Sequence, residues 1–200
     1  QIFQELLNRE DLSFRQWSQV GIGLYRAQNF DEAALAFSKA HDMQPLNKET
    51  LENLANSYYQ SEHYDDLAPL ADTLVQRYPY ETVNYNLLAN ARTETGDQDG
   101  ALGVLEGREA LTFEFLRAQL GPDGDETYAL EGTVMNKSAV GGSEVTIPVH
   151  FLSEGGQVLM TEPLTLSLPA AGETAGFQVQ VQSGTPIVGF RYDMAGSAGS

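Results

Sequence analysis

The sequence has no cysteine. Disulfides, thiolate nucleophiles and cysteine-ligated zinc are therefore excluded. Basic residues are scarce: 11 Lys and Arg stand against 28 Asp and Glu, a formal charge of −17 with His neutral. A phosphate backbone needs a basic face, so nucleic acid is excluded as a partner. An anionic membrane surface is disfavoured for the same reason. No stretch approaches the ~20 apolar residues of a membrane span. His41, His63 and His150 are the only histidines. None pairs with another at i, i+4, and no HExxH occurs, so neither a metal nor a cofactor is expected. A GxSxG elbow and a phosphate-binding glycine loop are missing as well. Gly21 and Gly23 follow no strand and lie inside a helical pattern. Asp123, Gly124, Asp125 and Glu126 lack the twelve-position calcium pattern and read as a solvated turn.

What is present is an ordinary apolar share, 42% of 200 residues, enough for a packed core. The first residue is Gln1, not Met, which reads as a processed or excised product. Composition splits the chain. Residues 1–118 hold 6 of the 19 Gly, 3 of the 8 Pro and 9 of the 11 bases. Residues 119–200 are rich in Gly and Pro and keep only Lys137 and Arg191 as bases. Turn formers at residues 121–125 mark the boundary. Three regions follow: a helical domain over 1–120, a β-domain over 121–194 and a flexible tail over 195–200.

The helical domain repeats every 34 residues. Pro45 and Pro79 are one period apart. Trp17, Leu51 and Tyr85 share a column, as do Gly21, Ala55 and Ala89, and Phe37, Ala71 and Leu105. Each copy carries two stretches with apolar residues at i, i+3, i+4 and i+7, the spacing of an amphipathic helix. Helices are expected near 14–27, 30–43, 48–61, 64–77, 82–95 and 98–108. Asn29, Asp31, Asp65, and Asp97 or Asp99 are expected N-caps or first-turn acids. The best copy has Trp17, Gly21, Ala33, Phe37, Ala40 and Pro45. In these residues the segment resembles the tetratricopeptide repeat. The resemblance implies a helical solenoid of about three and a half repeats, with residues 1–11 as the half repeat. It departs from the family where Leu24 and Arg92 stand at a Tyr position and Phe113 at a Pro position. After the third copy, Leu111, Phe113, Phe115, Leu116 and Leu120 suggest one more helix.

From Thr127 the period changes to alternation. Tyr128, Leu130, Gly132 and Val134 line one face; Val145, Ile147, Val149 and Phe151 line another. Further strands are expected at 157–161, 164–168, 175–182 and 187–193. Six short strands point to a small antiparallel immunoglobulin-like sandwich, which makes the whole chain a multidomain α + β protein. The runs LEGTVMN from Leu130, VHFLS from Val149 and LPAAGET from Leu168, with GFRY from Gly189, resemble bacterial FxLYD-type envelope domains. That resemblance implies a bacterial setting at the cell surface, in the periplasm or outside the cell.

For the sites, the repeat resemblance implies a concave groove lined by each first helix. The groove residues expected to meet a partner are Arg15, Ser18, Tyr25, Arg26, Asn56, Tyr59, Asn86 and Asn90. An Asn amide offers both donor and acceptor to a peptide backbone, and the two Tyr rings stand ready to flank a side chain. The acidic balance favours a neutral or Lys/Arg-bearing partner. Self-association is expected through Ile2, Phe3, Leu6, Leu7, Phe113 and Phe115 at the stack ends. Asn136 opens an N-x-S glycosylation sequon. The expected function is a non-catalytic interaction or structural subunit: a homo-oligomer or larger assembly, including filaments built head to tail. The alternatives are a monomeric receptor for an extended peptide and a carbohydrate-binding module on the β-domain. The last would need an exposed aromatic pair among Tyr128, Phe151, Phe177, Phe190 and Tyr192.

Overall fold

The structure is a computed structural model and describes residues 6–9 and 11–194. From Phe14 on, the described residues form six helices: α1 (Phe14–Arg26), α2 (Phe30–Met43), α3 (Lys48–Gln60), α4 (Tyr64–Arg77), α5 (Thr82–Glu94) and α6 (Gln98–Glu109). Their bounds agree with the expected ranges to within a residue. Each helix packs against the next in sequence. None is long and apolar enough to cross a membrane.

The 34-residue period is written into the backbone as well as the side chains. Gln28, Glu62 and Gly96 each adopt a left-handed conformation, with φ of 62°, 60° and 89°. Each ends the first helix of its pair with the same two hydrogen bonds. The Asn29 N–H donates to the Leu24 carbonyl, His63 to Tyr58 and Asp97 to Arg92, at 3.0, 2.9 and 2.7 Å. The preceding residue's N–H reaches Tyr25, Tyr59 or Thr93. This is the Schellman arrangement, which satisfies the last carbonyls and reverses the chain in three residues. Helix starts follow their caps too. Ser13 and Gln16 form a reciprocal capping box on α1, and Asn47 accepts from Thr50 N–H at 2.9 Å on α3. Asp97 does the same for Gly100 at 3.0 Å, while Asn29 holds the N-cap position of α2 without a side-chain bond. Small residues let the paired helices close. A Cβ on Gly21 would stand 2.7 Å from the Phe37 ring.

Residues 113–122 are not a further helix. They form β1 (Phe113–Pro122), followed by β2 (Thr127–Asn136), β3 (Glu144–Leu152), β4 (Val158–Ser167), β5 (Thr174–Gln182) and β6 (Gly189–Tyr192). The misleading signal is a β-bulge. The register slips between Phe115 and Arg117, so Leu116 is an extra residue. That slip breaks the alternation and leaves 111, 115, 116 and 120 at helix-like spacing. Residues 121–125, expected as the boundary between the parts, lead from β1 into β2 of one sheet. The expected strands at 157–161 and 164–168 are a single strand, β4, with Pro163 inside it. β4 lies at a sheet edge, where proline is tolerated.

The strands make two three-stranded antiparallel sheets, ordered β1-β2-β5 and β4-β3-β6. Their inner faces meet through Leu130, Val134 and Val181 from one sheet and Ile147, Val149, Phe151, Leu164 and Leu166 from the other. The same core runs without interruption into the helices. Tyr78, Pro79, Tyr80 and Glu81, the turn between α4 and α5, are all buried. The Tyr80 ring stacks on Phe113 at 4.8 Å, and Tyr78 meets Phe190 at 5.3 Å. Tyr192 touches Tyr78, Tyr80, Phe115 and Phe190. The Phe115 N–H donates to the Tyr80 carbonyl at 2.7 Å. A second core, around Trp17, Leu24 and Phe37, serves the first repeat and takes up Leu6 and Leu7.

Glu62 spends its backbone in a conformation that costs a non-glycine residue about 1 kcal/mol. Glu62 is exposed. Glu62→Gly is therefore expected to raise stability by about 1 kcal/mol in urea denaturation, whereas Gly96→Ala should lower it.

Candidate protein-binding groove and cleft

α1 touches α3 and α3 touches α5, so the first helices of the three pairs share one face. The structure shows what each expected groove residue is doing. Asn56 Nδ2 donates to the Glu52 carbonyl at 2.9 Å, and Asn90 Nδ2 donates to the Asn86 carbonyl at 2.8 Å. The two amides are thus held alike, one repeat apart. Each has an Oδ1 for which no intramolecular bond is described. Tyr25 packs edge-on against Phe30 at 5.1 Å and Tyr59 against Tyr64 at 6.5 Å. Each groove ring is steadied by the aromatic that opens the following helix. Arg15 and Arg26 are exposed, and Ser18 Oγ is tied back to the Phe14 carbonyl. Asn86 is engaged on its Oδ1 by Arg108 Nη1. It fixes α6 to α5 instead of facing a ligand freely.

The expected assembly residues are less coherent. Ile2 and Phe3 lie outside the described residues. Phe113 and Phe115 are buried inside the chain, under the aromatic cluster. They join the two parts of the molecule and offer no exposed stack end. Asn136 is not available for glycosylation. Its side chain is fully buried, at 0% exposure, with Nδ2 donating to the Ala139 and Pro169 carbonyls and Oδ1 accepting from Ala139 N–H. An amide bound on every side in the core cannot carry a glycan. Tyr128, Phe151, Phe177, Phe190 and Tyr192 are all buried or half-buried, so the exposed pair required for a carbohydrate platform is not formed.

Where the groove helices begin, the structure adds a cleft of about 690 Å³. Its walls are the first turns of α3 and α5, the 44–47 turn, and the strands β1 and β6. Glu49, Glu52 and Val83, all on the groove face, line it together with Glu81 and Glu131. At its floor one ammonium serves two acids. Lys48 Nζ lies 2.6 Å from Glu52 Oε1 and 2.9 Å from Glu81 Oε2, and 5.2 Å above the Tyr78 ring. Burial alone would lower the Lys48 pKa, but Glu81 and Glu52 together hold it above its ordinary value. Of the two acids, Glu81 is the more deeply buried. Burial pushes its carboxyl up to about 7, against the pull of Lys48. Glu81 Oε1 has no hydrogen-bond partner.

Sequence reasoning passed over this cluster, although the repeat columns held a clue. Glu81 occupies the column of Asn47, and Asn84 that of Thr50. In the second repeat that pair closes a cap: Asn47 binds Thr50 through both N–H and hydroxyl. In the third repeat Glu81 makes no cap bond, and both polar atoms of the Asn84 amide are buried without partners. A second constellation also escaped notice. On the outer face of the β4-β3-β6 sheet, Thr161 Oγ1 lies 2.7 Å from His150 Nδ1, and His150 Nε2 lies 2.8 Å from Asp193 Oδ2. Arg191 binds the other Asp193 oxygen at 3.1 Å. This row crosses three strands and anchors the chain after β6.

The 34-residue period, carried in sequence, turn geometry and helix packing, makes the first part a tetratricopeptide-type helical stack followed by a β part. No protein-family model matches the chain, and no curated protein does. Among solved structures it is similar to a MamA mutant, at 15% identity over 54% of this chain and 79% of that one, with a TM-score of 0.46. It is similar to MamA from Desulfovibrio magneticus RS-1, at 17% over 53% and 60%, TM-score 0.46. It is similar also to PcrH in complex with the chaperone-binding region of PopB, at 19% over 52% and 86%, TM-score 0.45. These are partial likenesses, each covering about half of this chain.

Because folding raises the Glu81 pKa above its ordinary 4.5, the folded state prefers the neutral acid. The stability tied to that proton is complete below about pH 4.5 and is lost as pH climbs through about 7. Glu81→Gln stays neutral throughout. Thermal denaturation of both proteins should show the variant gaining on the wild type between about pH 5 and about pH 8. A constant difference would mean that Glu81 is ionised throughout.

Proposed function

We propose that this protein is a non-catalytic binding module that holds an extended segment of another protein along the concave face of its helical stack. The observation that carries the reading is the pair Asn56 and Asn90. Two amides held the same way one repeat apart each offer an acceptor to the backbone of an extended peptide. Tyr25 and Tyr59, each braced by a neighbouring ring, supply rigid apolar contact at small entropic cost. The acidic lining of Glu49 and Glu52 favours a segment bearing Lys or Arg. The β part is, in this proposal, an immunoglobulin-like module that closes one end of the groove. An extracytoplasmic bacterial setting belongs to the same proposal and draws on the resemblance of the runs from Leu130, Val149 and Leu168 to envelope domains.

A second reading, assembly of copies into an oligomer or filament, draws on a different observation. In α6 only Ala101 is buried, and Leu102 is exposed at the end of the stack. A solenoid end of this kind accepts a further helix pair, from another copy or another protein.

Selection of the full chain against a displayed library of unstructured peptides tests the first reading. Enriched sequences should carry Lys or Arg beside an apolar residue. Tyr59→Ala and Asn90→Ala should each weaken a selected peptide by about tenfold. No enrichment, or binding indifferent to both substitutions, would overturn it.

A further inference from the structure

β1 is bonded on one side only. It pairs with β2; toward the helices, Phe115 N–H donates to the Tyr80 carbonyl, Glu114 accepts from the Thr82 hydroxyl and Phe113 stacks on Tyr80, so these contacts all lie before Leu116. The bulge at Leu116 follows directly after these contacts. From there to Gly121 the edge borders the 690 Å³ cleft, and residues 115–122 form one of its walls. An edge of this length is ordinarily blunted by charge, proline or cover. β4 carries Pro163 and Glu162, and β6 is four residues long and lies against Leu46. β5 borders β4 of the other sheet. In β1 the stretch 116–121 has no proline and one charge, on Arg117, which is turned onto Gln119.

We propose that residues 116–121 of β1 take a basic extended segment of a partner protein as an added strand, with a Lys or Arg of that segment seated against Glu81 Oε1. This deepens the peptide-receptor reading and rests on it. Three features of the cleft specify the occupant. Its acids Glu49, Glu52, Glu81 and Glu131 outnumber Lys48 and Arg117, and Lys48 is already shared between two of them. Glu81 is 4% exposed with one carboxylate oxygen unpartnered, which is a costly state that an incoming cation relieves. Leu116 and Val83 are 55% and 54% exposed, and both line the cleft. They would take an apolar side chain beside the basic one. Main-chain bonds to the strand edge would supply register, and these two contacts would supply selectivity.

Proton linkage gives a distinctive signature. Glu81 faces Lys48 and Glu52 on α3, Tyr78 in its own turn and Tyr192 on β6. Lys48, Tyr78 and Tyr192 are all held above their ordinary values, so each keeps its charge state through neutral pH. A Lys side chain binds the ionised form of Glu81, so affinity should rise about tenfold from about pH 6 to about pH 8.

The probe is a capped nine-residue peptide of alternating Val and Lys, titrated into the full chain and followed by amide exchange and calorimetry. Binding should slow exchange at residues 116–121 by at least about tenfold. Methylating alternate peptide nitrogens along one edge should weaken it by at least about tenfold, as should replacing Lys with Gln. Glu81→Gln should flatten the pH dependence. The altered peptides keep the test valid even if that variant folds poorly. Binding that leaves β1 exchange unchanged and ignores N-methylation would overturn strand addition. If that binding still responds to Tyr59→Ala, the groove reading stands alone. Absence of binding by the Val–Lys probe would likewise sink the proposal, as would self-pairing of two chains through β1.

Discussion

The turn between α4 and α5 has to be buried before either part of the molecule is complete. Tyr78, Pro79, Tyr80 and Glu81 are all in the core, whereas the matching turn one repeat earlier, residues 44–47, is exposed or half-exposed. Rings from both parts converge on it: Phe113, Phe115, Phe190 and Tyr192 against Tyr78 and Tyr80. Burying one such ring contributes about 1.5–3 kcal/mol, and a favourable ring pair adds about 0.5–1.5. A whole domain is stable by only about 5–15 kcal/mol. The shared rings are therefore comparable to the net stability of either part, so the two should fold as one unit. β6 adds a second contact, where Gly189 lies so close to Leu46 that a Cβ would approach its carbonyl to 2.8 Å.

The same constraint explains the odd chemistry of the cleft. Docking the β part on the turn buries Glu81, a residue that would otherwise cap α5 in solvent. Lys48 and Glu52 are drawn into the same place, one cation between two acids. The bulge in β1 adjoins the docking contact. Phe115 reaches Tyr80 while still opposite Val134 of β2, and the register slips at the next residue. An open strand edge and an under-neutralised acid thus arise side by side, at the end of the groove.

Most of the helical part was legible in the sequence. Helix ends, small-residue packing at Gly21 and the capping role of Asp97 all follow from local chemistry repeated at a fixed period. What stayed hidden was non-local. Phe113 and Phe115 read as a helix end because the Leu116 bulge shifts the phase of the alternation. Asn136 satisfies the sequon, but nothing nearby in sequence reveals that Pro169 and Ala139 enclose it. The groove positions came from the repeat register, so Asn56 and Asn90 could be named together. The claim of Arg108 on Asn86 spans 22 residues and has no local signature. Glu81 left only a column mismatch with Asn47, which gains meaning once the β part is seen to cover it.

Hydrogen exchange in increasing denaturant, read segment by segment, tests the shared fold most directly. If the buried turn binds the parts into one cooperative unit, amides of α5, β2 and β3 should merge into a single unfolding isotherm with one slope. Two isotherms, one for the helices and another for the sheets, would contradict that account and reduce the aromatic cluster to a contact between independent domains.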